Sequence, residues 1–435
     1  MMDGINVIGY ISGNLGLGVV ARSLIALMLE SGLPVAAFDL DPGLGRKGHD
    51  AAFETLSVAR LEDLPFSTNL IVLSPDATSA LLRDNASHFR RDDRFNCAMC
   101  FWELPVLPRR WLPLFNALDV IVAASDYMRH TFSAVLSGPL TIAGRVPLQV
   151  PGGIRRDRRR FLLPEEGVLF FTSFEPHSDV ARKNPFAVIT AFKAAAARVD
   201  VPVGLVVKIN NQRTPNGDHP IAIRLADACR DDPRIRVISD TLEYVDLLAL
   251  CESCDVYVSL HRAEGLGLGM MEAMALGKPV IATAWSGNTS FMDHSNACLV
   301  SYTLVPIVAN TAAYSRASLG LEAKWAEPDV DEASRWMARL STDPRLREEI
   351  GARARLRARQ LQAQAQQGLF LREIGAILAM KPHPSESNAA SRQQRFDAFL
   401  RTAGAADESS SFAHRIAQRS LQVAIRAMRR LRRAP

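Results

Sequence analysis

Two glutamates, Glu264 and Glu272, bracket three alternating glycines in the run Glu264-Gly-Leu-Gly-Leu-Gly-Met-Met-Glu272. Glycines at 265, 267 and 269 let the backbone approach a ligand with no Cβ in the way. The residues from about Met270 to Leu276 have helical character and are stopped by Gly277 and Pro279. Amides ahead of a helix N-terminus attract phosphate. Carboxylates beside such an anion site make chemical sense when the ligand also carries hydroxyls. A nucleotide-sugar has both, a diphosphate for the amides and ribose and sugar hydroxyls for the carboxylates. The plainer alternative makes Glu272 a residue that favours its helix N-terminus and Glu264 a solvated loop residue. The glycines, the small-residue helix and the flanking strands together argue against it.

The elements that must position this loop follow from the pattern on either side. Asp255–Leu260 reads as a strand running into it and Pro279–Thr283 as a strand leaving it, which makes a βαβ unit. A second strand, glycine loop and helix opens the chain, with Ile5–Ile11, Ser12–Gly18 and Val19–Glu30. A dinucleotide reading of that opening is conceivable, with Asp39 ending the next strand. Strands are expected at Pro34–Phe38, Asn69–Leu73, Asp119–Ala123, Val168–Thr172, Val203–Lys208 and Arg234–Ser239. Helices are expected at Asp76–Asn85 and Asp126–Leu136, each opened by an aspartate in capping position. Val150–Ile154 and the arginine-rich run to Arg160 read as a hinge between two domains.

The stretch Ser259–Thr283 resembles the donor-site signature of family 4 of the retaining glycosyltransferases (glycosyl transferases group 1). The resemblance covers roughly residues 5–375 in order and spacing, and it is strongest between 170 and 300. It implies an α/β chain of GT-B fold, two Rossmann-like domains facing each other across a cleft. The acceptor-side domain would span 1–160 and the nucleotide-sugar domain 165–355, with helices at 356–380 crossing back to the first. A polar linker at 381–411 and a basic amphipathic helix at 412–435 would follow.

The same resemblance assigns Glu272 to the ribose and Glu264 to the transferred sugar, and the amides of Gly265, Leu266, Gly267, Leu268 and Gly269 to sugar and diphosphate. The loop Phe174–Pro185 resembles the diphosphate-binding loop of the family, where Lys183, beside Arg182, would neutralise the leaving diphosphate. Lys183 and Glu264 are thus the expected catalytic pair. Gly16 would close over the donor phosphates and Gly18 over the acceptor. Two departures stand out. Many relatives place an arginine after the strand where this chain has Phe174, so Lys208, and less directly Arg262, are candidate substitutes. Many carry a histidine where this chain has Phe101-Trp102-Glu103. Trp102 and Glu103 either line the cleft or are, respectively, core and solvated. His130 reads as a surface residue.

Composition bounds the rest. The chain has 435 residues, 48% of them apolar and 22% charged, enough for two full cores. No apolar run reaches the ~20 residues of a membrane span, and the first residues lack a secretion signal, so the expected location is the cytoplasm, with peripheral membrane contact an option. Net charge is +5, but residues 412–435 hold seven arginines and no acid, so the body is near neutral and nucleic-acid binding is not expected. On a helical wheel this tail gathers Leu421, Ile425, Met428 and Leu431 opposite Arg419, Arg426, Arg430 and Arg433. That pattern suits an anionic bilayer, or a solvated or docked helix. The pairs Cys97/Cys100 and Cys251/Cys254 have zinc-like spacing but sit in apolar runs and read as core. No Asp-x-Asp motif marks the site, so neither a metal nor another cofactor is expected. The expected function is metal-independent, retaining hexosyl transfer from a nucleotide-diphospho-sugar to a saccharide or lipid-linked saccharide, as in cell-surface polysaccharide or lipopolysaccharide synthesis. A GT-B-fold epimerase and a non-catalytic nucleotide-sugar-binding protein are the alternatives.

Overall fold

The computed structural model describes residues 4–40, 50–136, 140–144, 146–148, 150–210, 213–214, 217–307, 314, 316–320, 322–366, 372, 375 and 391–403. The first domain is a six-stranded parallel sheet of β1 (Ile5–Gly9), β2 (Val35–Asp39), β3 (Thr68–Val72), β4 (Phe95–Ala98), β5 (Val120–Ala123) and β6 (Leu140–Ala143). Its order is β2-β1-β3-β4-β5-β6. The second sheet comprises β7 (Val168–Phe174), β8 (Val203–Ile209), β11 (Ile235–Ile238), β12 (Val256–Ser259), β13 (Val280–Thr283) and β14 (Cys298–Val300), with a short hairpin, β9 (Arg213–Thr214) and β10 (Gly217–Asp218), after β8. It is also parallel, in the order β11-β8-β7-β12-β13-β14. A hairpin of β15 (Tyr302–Pro306) and β16 (Lys324–Pro328) completes the strands. These are the two Rossmann-like domains that the sequence leads one to expect. No helix among the described residues is long and apolar enough to cross a membrane.

Strands covered on both faces read as unbroken apolar runs, and β1, β3 and β5 are buried along their whole length. The first sheet carries one polar exception. Asn6, Asn69 and Asn96 stand at matched positions of β1, β3 and β4. Asn6 donates to Asn69 and Asn69 to Asn96, each at 2.9 Å, and Asn96 donates to the Phe89 carbonyl at 2.8 Å. A one-residue slip would leave these buried amides unpaired, so the ladder fixes the register.

Two expected caps are corrected. Ser74, not Asp76, caps the helix Pro75–Asp84 by accepting from the Ala77 amide, and Ser125, not Asp126, caps Asp126–Ser133 by accepting from Met128. The aspartates occupy the first turn, where their charge still favours the helix dipole. All six cysteines are free and buried, as core residues. The segment expected to be a hinge is pinned by the buried Arg158. Its guanidinium donates to the carbonyls of Ser253, Pro164, Glu165 and Gly167 and to Asp255.

The end of the chain differs from expectation. The boundary placed at 355/356 falls inside one helix, Pro344–Gln366, which packs on the helix Leu268–Ala275. Residues 391–403, within the expected polar linker, are helical and dock on the first domain. Phe396 and Phe399 are buried there, Arg392 pairs with the buried Asp119 at 2.7 Å, and Arg90 pairs with Asp397 at 2.9 Å. Serine and alanine obscure this segment in composition, while two phenylalanines one turn apart anchor it. The tail 412–435 lies outside the described residues. Phe399→Ala should cost about 3 kcal/mol, the scale for emptying a buried aromatic site, and Arg392→Ala about 2 kcal/mol for a lost charged hydrogen bond. Urea denaturation checks both, and an unchanged midpoint for Phe399→Ala would show that the segment is not docked.

Candidate functional site

In open α/β sheets ligands bind beyond the carboxyl ends of the strands where the strand order reverses. Those points are the β1/β3 pair in the first sheet and the β7/β12 pair in the second. Their loops face each other across a cavity of about 630 Å3 lined by both domains.

The loop after β12 turns at Gly267, whose φ of +96° strains any side chain, and the helix Leu268–Ala275 starts there. Two contacts pin the loop from behind. The Glu264 amide donates to Ser286 Oγ at 2.8 Å, and the Gly287 amide donates to the Glu264 carbonyl at 2.8 Å. Gly287 has no room for a side chain, since a Cβ there would lie 2.0 Å from the Gly265 carbonyl oxygen. Beneath the loop His261 is fully buried, with Nδ1 3.0 Å from Ser259 Oγ and Nε2 3.1 Å from Asn288 Oδ1. Burial lowers its pKa, so the ring is a neutral spacer. From the first domain, Ser125 Oγ donates to the Gly265 carbonyl at 2.6 Å and Asn14 donates to the Leu242 carbonyl at 3.0 Å.

Lys183 and Glu264 meet. Lys183 Nζ donates to Glu264 Oε1, and Arg182 Nη1 lies 3.3 Å from Oε2. Burial alone would raise the Glu264 pKa, but Lys183 and then Arg182 outweigh it and hold it at about 2. Arg182 is itself fixed. It donates to the carbonyls of Ala263 at 2.8 Å and Ser178 at 3.0 Å, and it lies 3.6 Å from Glu103 Oε1. Arg182 thus spans carboxylates and carbonyls, whereas Lys183 reaches Glu264 from the cavity lining. Glu272 lines the same cavity one turn into its helix, rather than in the first turn. Burial raises its pKa to about 7, against the pull of the Tyr244 hydroxyl beside it.

The structure brings Gly265, Leu266, Gly267, Leu268, Gly269, Gly16, Trp102 and Glu103 to the cavity. Trp102 combines both readings, buried in the core yet lining the cleft, with Nε1 donating to the Val106 carbonyl at 2.9 Å. Glu103 is not solvated, for it accepts from the hydroxyl of Tyr314. Tyr314 also stacks on Trp102 at 5.2 Å. Three candidates are not brought there. Lys208 is buried outside the lining, its ammonium donating to the Ile209 carbonyl at 2.7 Å. Burial lowers its pKa to about 8. Arg262 is paired twice with Glu327, at 2.5 and 2.9 Å. Gly18 does not line the cavity but lets the opening loop close tightly, since a Cβ there would sit 2.3 Å from the Gly13 carbonyl. His130 is exposed, as expected.

Residues 217–315 match the family described as "Glycosyl transferases group 1". The fold is that of the GT-B glycosyltransferases. No curated protein matches the chain. Among solved structures, HepE (Alr3699) of Anabaena, crystallised with UDP and glucose, is 13% identical with a TM-score of 0.57, covering 87% of this chain and 99% of its own. Sucrose-phosphate synthase of Thermosynechococcus elongatus is 16% identical with a TM-score of 0.57, over 86% and 100%. A glycosyltransferase of Rickettsia africae is 12% identical with a TM-score of 0.58, over 88% and 100%. The matched segment contains Glu264, Glu272 and Tyr314, while Lys183 lies before it.

The state of Glu272 is open to measurement. Its ordinary value is 4.5, and burial pushes it up to about 7 in the folded protein. Between these pH values the folded state keeps a proton that the unfolded chain has lost, so stability falls as pH rises. Glu272→Gln lacks that loss. Its stability advantage over the wild type should grow from pH 4.5 to about 7 and then level off, on the order of 3 kcal/mol above its acid value. Denaturant melts across pH check this, and a flat difference would mean that Glu272 titrates normally.

Proposed function

We propose that this chain is a retaining glycosyltransferase that moves a hexosyl group from a nucleotide-diphospho-sugar to the hydroxyl of a saccharide or lipid-linked saccharide, in the synthesis of a cell-surface polysaccharide or lipopolysaccharide. One observation carries the reading: a lysine, Lys183, and a buried carboxylate, Glu264, meet at a glycine loop that opens a helix, inside an interdomain cavity.

The donor exchanges these partners. Lys183 leaves Glu264 for the diphosphate, and the amides ahead of Leu268–Ala275 add the dipole of the helix. Arg182 stays on Glu264 and keeps it ionised, ready to accept from a hydroxyl of the sugar. Glu272 takes the ribose. As the glycosidic bond to phosphate breaks, charge grows on the diphosphate, and Lys183 stabilises that growth more than it stabilises the ground state. Lys183 and the helix end supply the positive charge a divalent ion would otherwise bring, so no metal is required. With Arg182 still beside it, Glu264 is a poor nucleophile, and the acceptor hydroxyl attacks from the face the diphosphate leaves, giving its proton to the departing phosphate. UDP-glucose is the first donor to try, since HepE was crystallised with UDP and glucose.

A thermal-shift screen of UDP- and GDP-sugars finds the donor, because a ligand of the native state raises its melting temperature. With that donor, Lys183→Ala should lower kcat on the order of 10²–10³-fold, the scale for one preorganised electrostatic group, with a smaller loss of donor affinity. Turnover near wild type would remove Lys183 from the mechanism.

A further inference from the structure

We propose that the acceptor is a neutral, hydroxyl-rich saccharide, and that Asp76 and Glu103 make the cleft reject phosphorylated or carboxylated acceptors. This rests on the glycosyltransferase reading above and narrows it to a substrate class.

The first-domain wall of the cavity contains, among the described residues, no lysine, arginine or histidine. It contains two carboxylates, Asp76 and Glu103, set among Phe101, Trp102 and Trp111. Aromatic surface with a few placed acceptors is the chemistry that holds a sugar ring, apolar on its C–H faces and hydroxylated at its rim. A carboxylate accepts strongly from a hydroxyl. It repels a phosphate or a second carboxylate, and like charges across an interface are a main means of refusing wrong partners.

The charge pattern of the whole cavity leads to the same class. Its described lining holds six carboxylates, on Asp76, Glu103, Glu175, Asp179, Glu264 and Glu272, and two cations, on Arg182 and Lys183. Arg182 is committed to Glu264, to the carbonyls of Ala263 and Ser178, and to Glu103 at 3.6 Å, so Asp76 carries the larger share of the uncompensated charge on the first-domain wall. Lys183 is the group a donor diphosphate takes. Once the donor is bound, no cation of the described lining remains for a second anion, and a desolvated anion without a partner is strongly disfavoured.

Both carboxylates are positioned. Glu103 accepts from the Tyr314 hydroxyl on Oε2, and Tyr127 donates to its carbonyl at 3.2 Å. Asp76 Oδ1 accepts from Trp111 Nε1 at 2.7 Å, while its side chain is 62% exposed at the cavity. Arg110 approaches Asp76 at 3.4 Å but does not line the cavity. It donates to Ser318 Oγ at 3.0 Å and lies over the Trp111 ring. Glu103 thus reads the inner end of the acceptor and Asp76 the outer end.

The test uses the full chain saturated with donor nucleotide. The neutral disaccharides maltose, lactose and cellobiose are compared with their singly phosphorylated and uronic-acid counterparts, by calorimetric binding and by initial rates of transfer. Neutral compounds should be favoured at least ~10-fold over the anionic ones. Asp76→Asn and Glu103→Gln, which keep shape and remove charge, should each narrow that ratio. Asp76→Asn, at an exposed position, keeps the test valid if Glu103→Gln folds poorly. Preference for an anionic acceptor, a ratio unchanged in Asp76→Asn, or no binding of any saccharide would each overturn the inference. Failure of the reading beneath it would look different: no nucleotide-sugar would raise the melting temperature.

Discussion

A carboxylate buried as deeply as Glu264 is destabilising by several kcal/mol unless cations stand beside it. Much of the site exists to meet that condition. Lys183 and Arg182 come from the loop after β7, Glu264 from the loop after β12, and the two strands are neighbours in the sheet. The register of β7 on β12 therefore decides whether the charges meet. Arg182 reaches further, to Glu103 in the first domain. The same guanidinium thus links Glu264 to the opposite wall of the cavity.

The two glutamates of the glycine loop show how environment separates equal side chains. Glu264, between two cations, is kept ionised far below neutrality, whereas Glu272, facing a phenol and apolar neighbours, holds its proton to about pH 7. In the proposed reaction the ionised Glu264 would accept from the transferred sugar and Glu272 would meet the ribose. The glycine loop between them needs support from below, and His261, Ser286 and Asn288 provide it through hydrogen bonds that reach no ligand.

The parts of the site legible in the sequence are those coded by contiguous residues. The run from Glu264 to Glu272 states its own turn, helix start and polar groups, and the alternation of apolar strands with helices states two parallel sheets. Lys183 was legible because its loop sits directly before a helix. Parts that depend on distant pairs left no local mark. Tyr314 reaches Glu103 across 211 positions, and neither residue has a neighbour that announces the contact. Lys208 ends a strand as a phosphate ligand would, yet its flexible side chain folds back onto the Ile209 carbonyl. Aspartate and serine are equally good caps on propensity, so the sequence points to Asp76 and Asp126 where the backbone places Ser74 and Ser125 before the first turn. The docked helix at 391–403 hid in a stretch whose average composition is polar, since two phenylalanines suffice to anchor it.

In the proposed mechanism Glu264 is a positioned acceptor and not a nucleophile, so that acceptor and leaving diphosphate share one face of the sugar. NMR of the glycoside formed from a donor of known anomeric configuration tests this directly. The expected product keeps the donor's configuration at the anomeric carbon. A product of inverted configuration would contradict the mechanism and the assignment of Lys183 and Glu264 within it.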